Sequence, residues 1–185
     1  MYLPVRDYKN IINLIENLEK KGKFTITLID IDHFHSAIKS KKDGIEKINY
    51  ILKNNLSENT IYIGKDEFIL VEMESLDNIF IRLVEVKSIL LESMGISFSA
   101  GIAEYPKHGE DYIELLRNIE EALYVSKIKG RNKLSIVDIK KMKLKSNYYT
   151  PTQLSRLTDL SVKLDRSEAS LLRESLDELI RKYEE

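Results

Sequence analysis

Residues 24–31, Phe-Thr-Ile-Thr-Leu-Ile-Asp-Ile, form a nearly unbroken apolar and β-branched run in a chain of 185 residues. A run of this length with no polar face predicts a strand buried inside a sheet. Such a strand needs cover, and the flanking sequence supplies helices. Ile11, Ile12, Leu14, Ile15 and Leu18 recur at helical spacing until Lys21-Gly22-Lys23 stops the pattern. Ile45, Ile48, Ile51 and Leu52 mark one side of a second helix over 44–56. Residues 60–63 and 67–74 read as two strands around Gly64-Lys65-Asp66, a hairpin by its three-residue break. A helix over 76–94, a strand over 96–105, a helix over 111–129 with Gly130 as its C-cap, and a strand over 132–137 complete the series. The expected fold class for residues 1–138 is α/β, a sandwich around a mixed central sheet that carries the hairpin.

Beyond residue 138 the pattern changes. Residues 139–145, Ile-Lys-Lys-Met-Lys-Leu-Lys, hold four lysines in seven, and 139–142 are read as a basic linker. A short strand over 143–149 then meets Pro151, which suits the first turn of a helix. Leu154, Leu157, Leu160 and Leu164 form one apolar stripe. Asp165-Arg166 breaks it, and Ser167 caps a second helix bearing Leu171, Leu172, Leu176, Leu179 and Ile180. One strand and two helices cannot bury those faces alone, because a unit this small is marginal by itself. Residues 143–185 are expected to pair with a second copy.

Composition narrows the partners. Lys+Arg is 29 against Asp+Glu at 30, a net charge of −1, so any affinity for DNA must rest on a local patch. The absence of cysteine excludes a disulfide framework, thiolate zinc and a Cys nucleophile. No apolar run approaches the ~18–20 residues of a membrane span, and residues 1–20 lack the order of a signal peptide. The expected setting is the cytoplasm, without a membrane partner.

Two groups of residues carry chemistry in the first part. Asp30-Ile31-Asp32 ends the first strand, and Asp66-Glu67 sits in the hairpin. Acids at strand ends are often only solvated. Carboxylates from adjacent strands also converge on a divalent cation, and Mg²⁺ is commonly held by one or two of them plus nucleotide phosphates. Lys127 and Arg131, four residues apart, share one helical side and can neutralise phosphate oxygens. Compensation of the helix dipole is the competing reading of that pair. His33, His35 and His108 have no metal-binding spacing, and no Ser/His/Asp signature is present.

These residues lie in a stretch, 24–137, that resembles the GGDEF domain of diguanylate cyclases. The matching pieces are Leu28-Ile29-Asp30-Ile31-Asp32-His33-Phe34, Gly64-Lys65-Asp66-Glu67-Phe68, Ser97-Phe98-Ser99-Ala100-Gly101-Ile102-Ala103, residues 115–127 and Gly130-Arg131-Asn132. The resemblance implies a palm-like α/β sandwich. It assigns Asp30, the Ile31 carbonyl and Asp66 to a metal, Mg²⁺ or Mn²⁺, and makes Asp30, Asp66 and Glu67 the catalytic acids. Phe34, His35, Gly64, Lys65, Lys127 and Arg131 fall at nucleotide-binding positions. The departures are specific. Lys65 replaces a glycine that lets backbone approach the nucleotide, and His35 replaces a phosphate-binding lysine. Ile38 replaces a guanine-reading asparagine, Ile45 or Lys47 a guanine-reading aspartate, and Asn55 and Glu58 replace the Arg and Asp of an inhibitory site. Apolar side chains cannot hydrogen-bond a guanine edge. The expectation is retained metal and phosphate handling with lost guanine selection, a degenerate domain.

Residues 143–185 resemble the ribbon–helix–helix DNA-binding family, without a gap from Thr150 through Leu179, although Asp165 stands where glycine is usual and Glu168 opens the second helix. The resemblance implies a small βαα dimerisation unit whose paired strands enter the major groove of double-stranded DNA. One register turns Leu144, Ser146 and Tyr148 toward the groove. The other presents Lys145, Asn147 and Tyr149, and is preferred because burying an unpaired Lys is expensive. Lys143 and Ser167 then meet phosphate. The resulting expectation is a homodimeric DNA-binding transcriptional regulator that senses GTP, ATP or a cyclic dinucleotide with Mg²⁺. The alternative is an active diguanylate cyclase or related nucleotidyl cyclase, dimerised through the same C-terminal unit.

Overall fold

A computed structural model of the chain describes residues 8–34, 41–139 and 145–183. Residues 2–139 and 140–185 form two compact units. The first runs α1 (Tyr8–Glu19), β1 (Phe24–Ile31), α2 (Lys41–Asn55), β2 (Ile61–Gly64), β3 (Glu67–Glu72), α3 (Leu76–Met94), β4 (Phe98–Tyr105), α4 (Tyr112–Ile128) and β5 (Leu134–Ile136). The five strands lie in the order β2-β3-β1-β4-β5. β1 is antiparallel to both neighbours and β5 joins β4 in parallel, so the sheet is mixed. All eight residues of β1 are buried, as its composition predicts.

Side-chain alternation divides β1 between two layers. Ile29 and Ile31 join Phe34, Leu52, Phe68, Leu83, Val86 and Phe98 in a core that includes buried residues of α2 and α3. Helix α4 packs along β4, β1 and β5, and α1 packs on α4. The α4–β4 approach is very close. A Cβ built on Gly101 would lie 2.1 Å from the Ile119 carbonyl oxygen and 2.6 Å from the Leu123 nitrogen. Glycine is required there by space, not by its dihedral angles. Ser126 adds a pin, its buried hydroxyl donating to the Ala100 carbonyl at 2.9 Å and lying 2.8 Å from the Ser135 hydroxyl.

Helix ends follow local chemistry. Ser75 caps α3 by accepting the Asn78 N–H, and Gly95 closes it in the left-handed conformation (φ 65°). Asp111 caps α4 by accepting the Glu114 N–H at 2.7 Å. The hairpin is tighter than its sequence suggests, because Gly64 pairs with Glu67 and leaves Lys65-Asp66 as the turn.

In the second unit, α5 (Pro151–Leu164) and α6 (Glu168–Tyr183) follow residues 145–150, which carry neither strand nor helix. The expected strand over 143–149 is thus not seen in its described part, and Lys143 lies outside the described residues. The physical reason is that no neighbouring strand among the described residues supplies the ladder hydrogen bonds a strand needs. Thr150 and Gln153 form a capping box ahead of Pro151. Asp165, left-handed at φ 51°, ends α5. Ser167 caps α6 by accepting the Ser170 N–H at 3.2 Å. Arg166 fixes the corner, donating to Glu174 at 2.5 Å and to the Ser170 hydroxyl at 2.9 Å. No residue of α5 is buried, and Leu154, Leu160, Leu164, Leu176 and Leu179 stand about half exposed. No helix among the described residues is long and apolar enough to cross a membrane.

His108 gives the first unit a pH dependence. It is buried, its Nδ1 accepts the Glu104 N–H at 2.9 Å, and its carbonyl accepts from Asn118. Burial, with Lys107 nearby, holds the imidazole below its ordinary pKa, and Glu104 only partly offsets this. The unfolded chain therefore takes up a proton first as pH falls, so the stability present above about 6.5 is lost on acidification below it. Between about pH 7.5 and 5.5 the melting temperature should fall further in the wild type than in His108→Asn, which keeps an acceptor but cannot titrate. Equal slopes in melts of the two proteins would refute the assignment.

Candidate functional site

The site is built where β1 ends. There Asp30 is flanked across the ladders by Glu67 of β3 and Ser99 of β4. One residue on, the Ile31 N–H donates to the Asp66 carbonyl at 2.9 Å, which draws the hairpin turn against the strand end. The Asp32 N–H donates to the Ser97 carbonyl at 2.9 Å on the opposite side. Hydrogen bonding alone thus brings acids separated by some 35 residues of sequence to one rim.

Asp30 is almost wholly buried, and Lys127 Nζ of α4 donates to its Oδ2 at 2.5 Å. Burial pushes the Asp30 carboxyl above the usual range. Lys127 pulls it back, and Asp66 and Asp32 push it up again. Glu67 is also raised, first by burial and then by Asp30, with Asp66 adding and Lys127 and Lys65 opposing. The arrangement concentrates negative charge in a poorly solvated rim, where a further cation lowers the energy. Among the described residues no group of three or more His, Cys, Asp or Glu side chains could hold a metal alone. The donors available, the Asp30 and Asp66 carboxylates and the Ile31 carbonyl, are hard oxygens. They fit a cation that completes its shell with water and phosphate oxygens, as Mg²⁺ does.

Asp32 is differently placed. Its Oδ1 accepts the Ser99 hydroxyl at 2.8 Å, and its Oδ2 accepts the Ser97 hydroxyl and the Asn132 N–H, each at 2.9 Å. Arg131 Nε lies 4.0 Å from Oδ1, and about half of the Arg131 side chain is exposed. The turn after α4 is unusual, with Gly130, Arg131 and Asn132 successively at φ 103°, 58° and 52°. In the hairpin, Gly64 is at φ 116° and Lys65 at φ 56°, and the Tyr62 hydroxyl donates to the Lys65 carbonyl at 3.0 Å. Lys65 adopts a backbone that glycine adopts readily, and holds it with help from Tyr62.

Of the residues selected from sequence, Asp30, Ile31, Asp66, Glu67 and Lys127 come together, and Arg131 lies beside Asp32. Lys127 is on a carboxylate in this state, where the sequence pointed to phosphate. The Phe34 ring is buried in the α2–α3 core, only 2% exposed, so any contact this residue makes with a nucleotide is left to its backbone. His35 lies outside the described residues. In the second unit Lys145 and Asn147 are exposed, Tyr149 is 41% exposed and Tyr148 fully so, and the Asn147 side-chain Oδ1 accepts the Tyr148 N–H. Sequence reasoning gave no role to Ser97, Ser99 or Asn132. The alternation Ser-Phe-Ser at 97–99, two hydroxyls on one strand face, was the available signal.

Comparison with known proteins follows this geometry. The family profile described as "Diguanylate cyclase, GGDEF domain" matches residues 8–133. Diguanylate cyclase DosC of Escherichia coli K12 is 27% identical over 129 residues, which is 60% of this chain and 28% of DosC. The chain thus spans about a quarter of the length of that relative. Among solved structures, the GGDEF domain of YfiN (TpbB) from Pseudomonas aeruginosa superposes with a TM-score of 0.61 at 19% identity, covering 75% of this chain and 98% of that one. The active GGEEF domain of a Vibrio cholerae diguanylate cyclase gives 0.61 at 18% identity, covering 71% and 94%. The DgcB GGDEF domain of Caulobacter crescentus, in complex with c-di-GMP, gives 0.61 at 20% identity, covering 70% and 85%. These likenesses establish a shared fold.

The Asp30–Lys127 pair yields a direct test. Removing the ammonium leaves a buried carboxylate unpaired, while Lys127 is about one-third exposed, which moderates the loss. Lys127→Met should cost about 1–3 kcal/mol in urea unfolding. Adding Asp30→Asn should restore most of it. If the double variant is no more stable than Lys127→Met, the pair does not carry the coupling described.

Proposed function

We propose, because this chain belongs to the GGDEF family of diguanylate cyclase domains, that its first unit is a metal-dependent nucleotidyl cyclase of relaxed base preference. The observation that carries the reading is the Lys127 ammonium on Asp30 at 2.5 Å, beside Asp66 and Glu67. It joins an acidic metal-type rim to a phosphate-type cation. Asp30, Asp66 and the Ile31 carbonyl would hold Mg²⁺ or Mn²⁺, which when bound neutralises phosphate charge and polarises the phosphoryl oxygen.

The chain's own residues bind and orient the triphosphate. Lys127 moves from Asp30 to a phosphate oxygen, exchanging one charge-assisted bond for another. Arg131 offers its planar fork to the phosphates, and Lys65 adds positive charge at the hairpin. Joining two nucleotides needs two such sites facing each other, so the reaction requires a pair of chains. Base discrimination is weak because Ile38, an apolar side chain, cannot hydrogen-bond a guanine edge. Incubation with each NTP and Mn²⁺, followed by chromatography, should give product from both purine triphosphates with kcat/KM values within about 100-fold of each other. Asp66→Ala should lower the rate by about 10²–10³. Absence of triphosphate binding, or undiminished product from Asp66→Ala, would remove the proposal.

A second reading, DNA-binding regulation by residues 143–185, is favoured by a specific observation. A corner fixed by Asp165, Arg166 and Ser167 joins two helices whose leucine stripes are uncovered. A second copy would cover those stripes and supply the missing strand of the ribbon. Lys145, Asn147 and Tyr149 would then read bases, with Lys143 and Ser167 at phosphate. Sedimentation should find the intact chain dimeric and the Leu160→Glu/Leu176→Glu chain monomeric, with operator binding lost in the latter. A dimer unaffected by both substitutions would place the interface elsewhere.

A further inference from the structure

We infer that Asp32 is a positioning residue for phosphate recognition: its buried carboxylate locks the left-handed turn at 130–132 and so fixes where Arg131 stands. The inference rests on the reading above, in which Arg131 meets phosphate. Asp32 lies two residues from Asp30 yet has the opposite character. It is 3% exposed, and both of its oxygens already accept hydrogen bonds, from Ser97, Ser99 and the Asn132 N–H. A carboxylate so occupied has little capacity left for a metal, whereas Asp30 has one strong partner, Lys127.

What Asp32 holds is the turn. Ending α4 needs only one left-handed residue, and Gly130 provides it without steric cost. Arg131 and Asn132 continue in the left-handed region, where a Cβ is unfavourable, so something outside the turn must stabilise them. The Asn132 N–H donates inward to Asp32 Oδ2 at 2.9 Å. Its carbonyl accepts outward from Lys87 Nζ of α3 at 2.5 Å. The Arg131 N–H meanwhile donates to the Ser126 and Lys127 carbonyls of α4, at 3.2 and 3.3 Å. Arg131 is therefore clamped between the helix that carries Lys127 and a carboxylate set by the strand that carries Asp30. Its guanidinium keeps Nε toward Asp32 while about half of the side chain reaches solvent. The β1 end thus aligns the acidic rim and the phosphate-binding arginine from adjacent residues.

The test uses the full chain, with GTP·Mg²⁺ and GMP as probes in calorimetric titrations and amide hydrogen exchange as a second measurement. Arg131→Ala should weaken GTP·Mg²⁺ about tenfold and leave GMP little changed. Asp32→Ala should give a similar loss, within the 10–100-fold that outer supports of a ligand commonly control. It should also release the Asn132 amide to exchange, whereas Asp32→Asn, which keeps an acceptor, should retain protection and most of the affinity. The double variant Asp32→Ala/Arg131→Ala should bind no more weakly than Arg131→Ala alone. Additive losses, or an Asn132 amide still protected in Asp32→Ala, would overturn the inference. If Asp32→Ala does not fold, the wild type decides, because an Asn132 amide that exchanges freely there overturns the clamp. An unchanged GTP affinity in Arg131→Ala, with Asn132 protection lost in Asp32→Ala, would instead refute the phosphate reading and leave the clamp standing.

Discussion

The site exists because β1 is hydrogen-bonded along both edges. A strand with one free edge could fray or slip, and each slip of one residue would turn Asp30 and Asp32 to the wrong face. Here the antiparallel ladders to β3 and β4 fix the register over the whole strand. Two further bonds, from the Ile31 N–H to Asp66 and from the Asp32 N–H to Ser97, extend that grip past the strand's end. The hairpin and the start of β4 are thereby tied to adjacent residues of one segment, and the charged rim inherits the precision of the sheet.

That precision is needed because the rim is electrostatically unfavourable. Burial raises both Asp30 and Glu67, with Asp66 and Asp32 adding at Asp30 and with Asp30 and Asp66 adding at Glu67. Proteins keep such groups where a ligand repays the cost, and structural ion pairs alone also perturb carboxylates. The two explanations separate on chemistry. A purely structural pair would need one acid for Lys127, whereas this rim also gathers Asp66, Glu67 and the lysine at the hairpin apex. Asp32, satisfied by two serines and a backbone N–H, shows what a structural carboxylate in the same strand end looks like.

Much of the architecture was legible in the sequence because period and length suffice for it. The buried strand, the hairpin and the helices of the first unit follow from local patterns, and so do the two C-terminal helices. The GGDEF resemblance located Asp30, Asp66, Glu67, Lys127 and Arg131. Less legible were contacts between residues far apart in sequence, such as Asp32 with Ser97, Ser99 and Asn132, because no local period encodes them. The left-handed Arg131 was hidden for a related reason. Its backbone is imposed by Asp32 and by α4, not by its own preferences. The burial of the Phe34 ring was not legible either, because a motif aromatic and a core aromatic look alike until the packing is seen. The expected strand over 143–149 is not seen in its described part, where no neighbouring strand offers it a ladder.

The seam at Gly101 has a mechanical consequence. With no room even for a methyl group between β4 and α4, the helix and the sheet behave as one stiff plate, and sliding between them is sterically blocked. Lys127 rides on that plate. The turn at 130–132 is held by its own hydrogen bonds to Asp32 and α4, so any adjustment made when a ligand arrives falls to the side chains at the rim. The domain is therefore stiff in its body, and the left-handed backbones of Lys65 and Arg131 stand at the two turns that border it.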